Sequence, residues 1–447
     1  MDAAHKTPAA EFKTIYGLPE GQDARYLAAR ALEASRQKQI LIHVAMDDIR
    51  LSTLHDLLAF FAPDIEVIVF PAWDCLPYDR VSPHADIAAT RVAALSAMLE
   101  WKSDGLYKPR IVLTSVGAIS QRVMPPEKLV AAQLVAKKGG TVSQTDLQRF
   151  LADNGYMRTD TVREAGEFAI RGDIVDIFPP GYEGPVRIDL FGDDIESIRS
   201  FDATSQMTTG ILDRFELRPV TEFFLDEGGV ARFRAGYRDA FGVTSSSNPL
   251  YQAVTEGRRH AGMEHWLPLF HDKMANLFDY ISAPILSFDG QADQARVERQ
   301  AQIIDFYKAR LTLDESFGAR KKKAGDVSLT GVAYHPLPPE ALYIFEDEFR
   351  ALSEGSDTII LQSFAAPDDA YHNPAKRGRD YADIRTQPHA NVFQELSKTI
   401  HAHQAQNKKV LIACYSQGSR DRLKVMMEEG GAGVPYPVDT YHQASRL

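Results

Sequence analysis

The sequence predicts an α/β protein of several domains, in which a mostly parallel sheet is interrupted by a small antiparallel domain. Three observations predict it. Short apolar strands alternate with helices near the N-terminus, closely spaced strands follow Lys137–Gly140, and helices and strands resume after about residue 219. Alternating strands and helices favour a parallel sheet covered on both faces, whereas strands joined by Gly- and Pro-containing turns favour antiparallel pairing.

The parallel part is predicted first. Leu51, Leu54, Leu58 and Phe61 recur at helical spacing after Asp47 and Asp48, which are favourable residues at a helix start. Apolar runs of five or six residues flank this helix and are typical of buried strands. The expected elements are strands at Gln39–Val44, Glu66–Phe70 and Arg110–Ser115 and helices at Asp47–Phe61 and Ile87–Trp101.

The antiparallel part begins with a predicted helix from Ser143 to Asn154, closed by Gly155. The turns are supplied by Pro179–Gly181 and Gly192–Asp194. Four strands are expected around them, at Phe168–Arg171, Asp173–Phe178, Val186–Phe191 and Ile195–Phe201.

The remainder returns to helices and strands. A helix is expected near Ala292–Thr312, a linker at Ala365–Pro388, and then a helix (Val392–Gln406), a strand (Lys409–Cys414) and a helix from Ser416. The expected domains are 1–132 (first part of the α/β domain), 133–218 (the insert), 219–348 (second part), 349–388 (linker) and 389–447 (a small α/β unit).

Composition excludes several classes of protein. No apolar run approaches the ~20 residues of a membrane span, and the charged segment Met1–Lys13 is unlike a signal peptide, so a cytoplasmic location is expected. The net charge of −11 disfavours a broad nucleic-acid-binding field. The basic run Arg320–Lys323 is interpreted as a solvated linker.

Metal and catalytic chemistry has little support in the residue spacing. Cys75 and Cys414 are interpreted as buried free thiols, and no histidines have zinc-site spacing; His260 and His265 are expected at the surface. No nucleophile–base pair or carboxylate dyad stands out. The sequence therefore predicts no catalytic residue, no metal site and no cofactor for this chain.

One segment resembles a phosphate-binding loop that lacks the lysine and the hydroxyl group needed to bind nucleotide and metal. A working loop reads Gly-x-x-x-x-Gly-Lys-Ser/Thr, in which the lysine reaches phosphates and the hydroxyl holds Mg²⁺. Aligned on Gly17, the lysine position falls on Asp23 and the hydroxyl position on Ala24, with a second glycine at Gly21. A carboxylate repels phosphate, so the sequence predicts an inactive nucleotide site.

The segment Val186–Phe191 is the most informative candidate for binding. Strand alternation sends Val186, Ile188 and Leu190 to one face and Arg187, Asp189 and Phe191 to the other. Arginine and aromatic side chains are enriched at interaction hot spots, and Arg171, on what is taken to be the neighbouring strand, could join them. The alternative is that Phe191 packs under a turn and the arginines are solvated or locally paired.

Two stretches, Phe168–Pro179 (FAIRGDIVDIFP) and Arg187–Arg199 (RIDLFGDDIESIR), resemble a signature shared by the UvrB subunit of the bacterial excision nuclease and by the transcription-repair coupling factor. Three others resemble the coupling factor specifically: WDCLPYDRVSPHAD (73–86), VAKKG (135–139) and GMEHWLPLF (262–270). The match runs in order over roughly residues 12–345. It is weaker beyond, in the variable part of that family.

The resemblance implies a UvrB-like α/β domain with an inserted domain that docks on UvrA. Carried over by position, the UvrA-contacting residues are Arg171, Arg187 and Phe191. UvrB keeps its phosphate-loop lysine, whereas the coupling factor's UvrB-like module has lost it, in agreement with Asp23 here.

In the full-length family, the resemblance implies an RNA-polymerase-binding domain and a motor that uses ATP and Mg to translocate on duplex DNA. A C-terminal domain then masks the UvrA-binding face. The motor's motifs are not found in these 447 residues, so the chain is expected to be a non-catalytic fragment of a longer protein.

Two alternatives remain at the level of sequence. One is a UvrB-type phosphate-loop ATPase or DNA-binding repair protein, which Mg-ATP would stabilise against heat. The other is an autonomous nucleic-acid-binding protein with local basic spots such as Arg377 and Arg379, which would shift labelled duplex at ordinary salt.

Overall fold

The computed structural model describes residues 13–103, 108–242, 248–282, 284–323, 334–364, 378–386, 390–414 and 416–447, and at 103 and 314–323 it describes the backbone alone. The first region runs β1 (Lys13–Ile15), α1 (Gln22–Arg36), β2 (Leu41–Ala45), α2 (Asp48–Phe61), β3 (Glu66–Phe70), α3 (Ala85–Ser103), β4 (Arg110–Ser115), α4 (Val116–Ile119) and α5 (Pro126–Ala131).

The next region contains one helix and eight strands. They are β5 (Leu134–Lys137), α6 (Gln144–Asp153), β6 (Met157–Arg158), β7 (Glu167–Arg171), β8 (Ile174–Ile177), β9 (Val186–Phe191), β10 (Asp194–Phe201), β11 (Thr208–Leu212) and β12 (Arg214–Leu217). As expected, Ser143 caps α6, because its side chain accepts a hydrogen bond from the Asp146 N–H.

The last region contains α7 (Glu227–Phe241), α8 (Pro249–Thr255), β13 (Ile285–Asp289), α9 (Ala292–Lys323), α10 (Glu346–Ser353), β14 (Thr358–Leu361), α11 (Ala382–Arg385), α12 (Val392–Gln404), α13 (Gln417–Glu429) and α14 (Tyr441–Arg446). Three 3₁₀ segments lie at Met263–Phe270, Leu277–Tyr280 and Pro339–Ala341.

The main sheet has the order β1-β14-β13-β2-β4-β3, and every neighbouring pair is parallel. Successive residues of a strand enter different cores, because Leu41 packs with Ile111 and Ile285 on one face and Ile42 with Val112 on the other. The expected parallel sheet with two covered faces is therefore confirmed.

The second sheet has the order β11-β10-β9-β8-β7-β6 and is antiparallel except between β6 and β7. Helix α6 covers one face, where Leu147 and Leu151 pack with Val175, Ile188 and Ile198. The mixed α/β architecture, with one parallel and one antiparallel sheet, is confirmed.

The chain enters and leaves this second unit on two paired strands. β5 and β12 are antiparallel, with Leu134 opposite Leu217 and Lys137 opposite Arg214. The Gly139 N–H then donates to the Ile195 carbonyl, which joins this ladder to β10.

Part of the expected linker at 349–388 is ordered secondary structure. It contains the end of α10 and the whole of β14, whose four residues lie between β1 and β13. Ile359 is 2% exposed, so a short strand is buried here by two parallel neighbours. Residues 378–386 are described and include α11, whereas 365–377 and 387–388 lie outside the described residues.

Three further expectations are wrong. Arg320–Lys323 form the last turn of α9 rather than a linker, because arginine, lysine and alanine favour helix. Lys409–Cys414 do not form a strand, and Leu411 and Ile412 are exposed, so the described part of the small unit at 389–447 is helical rather than α/β. His265, expected at the surface, is 3% exposed between the rings of Trp73 and Tyr78.

Candidate protein-interaction face and the N-terminal loop

Strand β9 separates core side chains from outward ones, as its sequence predicts. Val186 and Ile188 are fully buried, whereas Phe191 is 72% exposed. Phe191 lies at the end of β9, opposite Asp194 and next to the turn at Gly192, so its ring extends into solvent. The alternative, in which this ring packs under the turn, does not fit its exposure.

Arg171 shares the outward face, although it is not on the strand next to β9. Strand β8 lies between, and the register places Arg171 opposite Ile174 and Ile174 opposite Asp189. Directly opposed residues point to the same side of an antiparallel sheet, so Arg171, Ile174 and Asp189 form one transverse row. Arg171 is exposed and donates to the Asp160 carbonyl at 2.6 Å.

Arg187 is held within the domain. Its Nε and one terminal nitrogen donate to the two carboxylate oxygens of Asp176 at 2.6 and 2.8 Å, and its guanidinium lies 4.6 Å from the ring centre of Phe201. Asp176 is 1% exposed, and its hydrogen bonds raise the pKa of Arg187. Since a bidentate pair fixes both groups, Arg187 presents only a partly exposed edge to a partner.

A second ion pair lies on the same face. Arg199 donates to Asp189 at 2.7 Å and is opposite Arg187 in the register. Neither Asp176 nor Arg199 is among the binding residues that the sequence predicts, although strand alternation in β8 and β10 carries the signal for both. Away from Phe191, this face of the sheet is covered by a cluster of Val162, Ala169, Phe178 and Phe201. The uncovered part of the face therefore lies nearer Phe191.

The loop between β1 and α1 contains the sequence-predicted phosphate-loop residues. Gly17 and Gly21 have φ values of 71° and 89°, in the region that favours glycine. The Asp23 carboxylate accepts hydrogen bonds from the backbone N–H groups of Gly21 (2.8 Å) and Ala24 (2.7 Å). These donors at a helix start are the groups that an anion would otherwise use.

Asp23 is also part of a buried polar cluster at the carboxyl ends of β2 and β13. Arg50 donates to Asp23, and its Nε lies 3.4 Å from Asp289. The His43 ring nitrogen Nε2 lies 3.5 Å from Asp289. Burial opposes ionisation of Asp289, but the contacts with His43 and Arg50 outweigh it and lower the pKa of that carboxyl group. The carboxylate of Asp23 thus occupies the place at the N-terminus of α1 where an anion would bind.

Over the described residues, the structure shows no group of three or more histidine, cysteine, aspartate or glutamate side chains able to hold a metal ion. None of the described helices is long and apolar enough to cross a membrane. Cys75 and Cys414 are partly rather than fully buried, and burial raises the pKa of the Cys75 thiol to about 12.

Comparison with known proteins gives two findings. Residues 134–223, which include the antiparallel sheet, match the UvrB interaction domain. The chain is 30% identical over 391 residues to the transcription-repair-coupling factor of Rickettsia bellii, which covers 88% of this chain and 33% of that protein.

Other relatives have the same description. Those of Haemophilus influenzae and Escherichia coli are 34% and 37% identical over 290 and 254 residues, covering 65% and 57% of this chain and 24% and 22% of their own lengths. The chain thus spans about a third or less of the curated relatives that it matches. The matches show the resemblance that the motifs predicted, namely to the N-terminal, UvrB-like region of transcription-repair-coupling factors.

Proposed function

We propose that this chain is a non-catalytic recruitment module of a transcription-repair coupling factor and that it binds UvrA through the outward face of the antiparallel sheet. The observation that carries the proposal is the exposure of Phe191, 72%, on a sheet within the segment that matches the UvrB interaction domain. An aromatic ring that extends from a strand end, with an arginine on the same face, is typical of an interaction hot spot.

The three carried-over residues have different parts in this proposal. Phe191 is the anchor that becomes buried in the partner. Arg171 is exposed, so it can form a charge-assisted contact with a carboxylate of the partner. Arg187 acts by holding Asp176 in place and by presenting the edge of its guanidinium.

The rest of the chain supports this face. We propose the domain division 1–132, 133–218 and 219–348, in which the parallel sheet holds the insert on the paired strands β5 and β12. Binding of RNA polymerase and duplex DNA, the ATP- and Mg-dependent motor, and the C-terminal domain that masks the UvrA-binding face are assigned to other parts of the full-length family protein.

The N-terminal loop is proposed to be unable to bind nucleotide. Asp23 already accepts the backbone hydrogen bonds at the start of α1, and Arg50 is paired with it. Ala24 is fully buried and has no hydroxyl group for a metal ion. Gly17, Gly21, Asp23 and Ala24 therefore form a structural turn in this proposal. Accordingly, we expect Mg-ATP at millimolar concentration to leave the melting temperature unchanged.

The test is calorimetric binding of the purified chain to UvrA, with the parent beside Phe191→Ala. Loss of a central anchor typically costs on the order of 2 kcal/mol, so we expect the dissociation constant to rise about 30-fold. Phe364→Ala is the matched control, because Phe364 is also an exposed phenylalanine (65%) but lies outside the insert.

Failure of the parent chain to bind UvrA would overturn the proposal. So would equal binding by Phe191→Ala and the Phe364→Ala control. In the first case, stabilisation by Mg-ATP would favour the ATPase alternative, and a shift of labelled duplex would favour nucleic-acid binding.

A further inference from the structure

A second large apolar side chain is exposed on the same face as Phe191. Ile211 is 76% exposed and lies on β11, the edge strand next to β10. In the register, Ile211 is opposite Arg199, and Arg199 is opposite Arg187. The three side chains therefore point to the same side, while the adjacent Leu212 packs against the core of the opposite face.

The two arginines between Ile211 and Phe191 are already paired within the domain. Arg199 bonds to Asp189, and Arg187 forms its bidentate pair with Asp176. Because these guanidinium groups are compensated, their attraction for an acidic partner is reduced. Binding free energy over this part of the face then has to come from apolar contact and shape.

The separation of the two apolar side chains suits a single interface. From Ile211 to Phe191 the path crosses two strand spacings and runs four residues along β9, which gives about 17 Å. A standard interface buries roughly 800 Å² per partner, a patch about 30 Å across. One phenylalanine cannot fill such a patch, whereas the two side chains lie well inside it.

We propose that Ile211 is a second apolar anchor of the UvrA-binding face, and this inference rests on the proposed function. The matching surface of UvrA then presents two apolar pockets about 17 Å apart, one for Phe191 and one for Ile211. A polar strip between them faces the Arg199–Asp189 pair. Recognition thereby extends beyond the three residues carried over from the family, onto an edge strand that the sequence motif does not include.

The test compares UvrA binding by the parent chain, Ile211→Ala, Phe191→Ala and a matched control. Ile49→Ala is the control, because Ile49 is an isoleucine of similar exposure (80%) on α2, outside the insert. We expect Ile211→Ala to raise the dissociation constant about tenfold and Ile49→Ala to leave it unchanged. The ratio between parent and Ile211→Ala should not vary with salt, since the lost contact is uncharged.

The outcomes separate this inference from the proposed function. If the parent binds and Phe191→Ala weakens binding, but Ile211→Ala behaves like Ile49→Ala, the second anchor is excluded while the recruitment function stands. If the parent does not bind UvrA, both are overturned. Thermal unfolding of each variant at the parent's temperature shows that a loss of binding is not a loss of folding.

Discussion

At the scale of single residues, the two carried-over arginines differ in what they already contact. Arg171 is exposed and bonds to a backbone carbonyl, whereas Arg187 neutralises a carboxylate that is 1% exposed. Removing one partner of a buried pair leaves the other charge uncompensated, which costs more than the pair itself contributes. If an Arg187 variant binds UvrA less tightly, the loss therefore reflects both the missing contact with UvrA and the lower stability of the domain.

We expect Arg187→Ala to lower the free energy of unfolding by about 3 to 5 kcal/mol, because Asp176 would remain buried without a counter-charge. The double variant Arg187→Ala, Asp176→Ala should recover a large part of that loss. Urea denaturation measures both. Arg171→Ala is the control, with a change of about 0.5 kcal/mol or less, as is usual at exposed sites. Equal losses in the two single variants would mean that the Asp176 pair contributes no stability.

At the scale of elements, the sequence predicts what periodicity can encode. Three apolar runs and two amphipathic helices of the parallel part, and the four central strands of the insert, lie within a few residues of their expected bounds. Alternation also placed Phe191 outward correctly. These patterns are local, so a single sequence carries them.

The misses depend on long-range contacts. β14 is only four residues long and is a strand because β1 and β13 lie on either side of it. Lys409–Cys414 is an apolar run that does not form a strand, because no neighbouring strand lies beside it among the described residues. The Asp23–Arg50–Asp289 cluster joins residues more than 200 positions apart, so no local pattern could reveal it.

The start of α1 gives a prediction at this scale. Asp23→Ala removes the acceptor of two backbone N–H groups and the partner of Arg50, so we expect a loss of about 2 to 3 kcal/mol. Asp23→Asn keeps an acceptor oxygen and should lose less. Chemical denaturation of the two variants beside the parent gives the comparison. If alanine and asparagine are both as stable as aspartate, the carboxylate does not hold the helix start.

At the scale of the whole molecule, acid stability depends on a histidine in the aromatic core. His265 lies between Trp73 and Tyr78, and burial lowers its pKa to about 4, from an ordinary value near 6.5. The folded state therefore binds this proton less readily than the unfolded state. The stability that the neutral ring provides is complete above about pH 6.5 and is lost as the pH falls toward 4.

We expect His265→Phe to flatten the dependence of unfolding free energy on pH between 6.5 and 4, by up to about 3 kcal/mol. Neither ring nitrogen of His265 has a hydrogen-bond partner among the described residues, so phenylalanine keeps an aromatic ring there without breaking a hydrogen bond, and the variant should fold. His84→Phe is the control, because its side chain is 67% exposed. Denaturation midpoints at several pH values decide the matter, and parallel curves for the parent and His265→Phe would exclude this histidine as a source of acid sensitivity.

The two strands that connect the insert to the main domain have a mechanical consequence. Because β5 and β12 are paired along four residues and continue into β10, the insert is attached through a double-stranded stem rather than through two independent tethers. Such a stem resists twisting about its own axis, since rotation would have to break the ladder. Ala89 of α3 packs in the core of the insert and Arg218 pairs with Glu100 of α3, so a load applied at the antiparallel sheet would reach the parallel domain through packed side chains as well as through this stem.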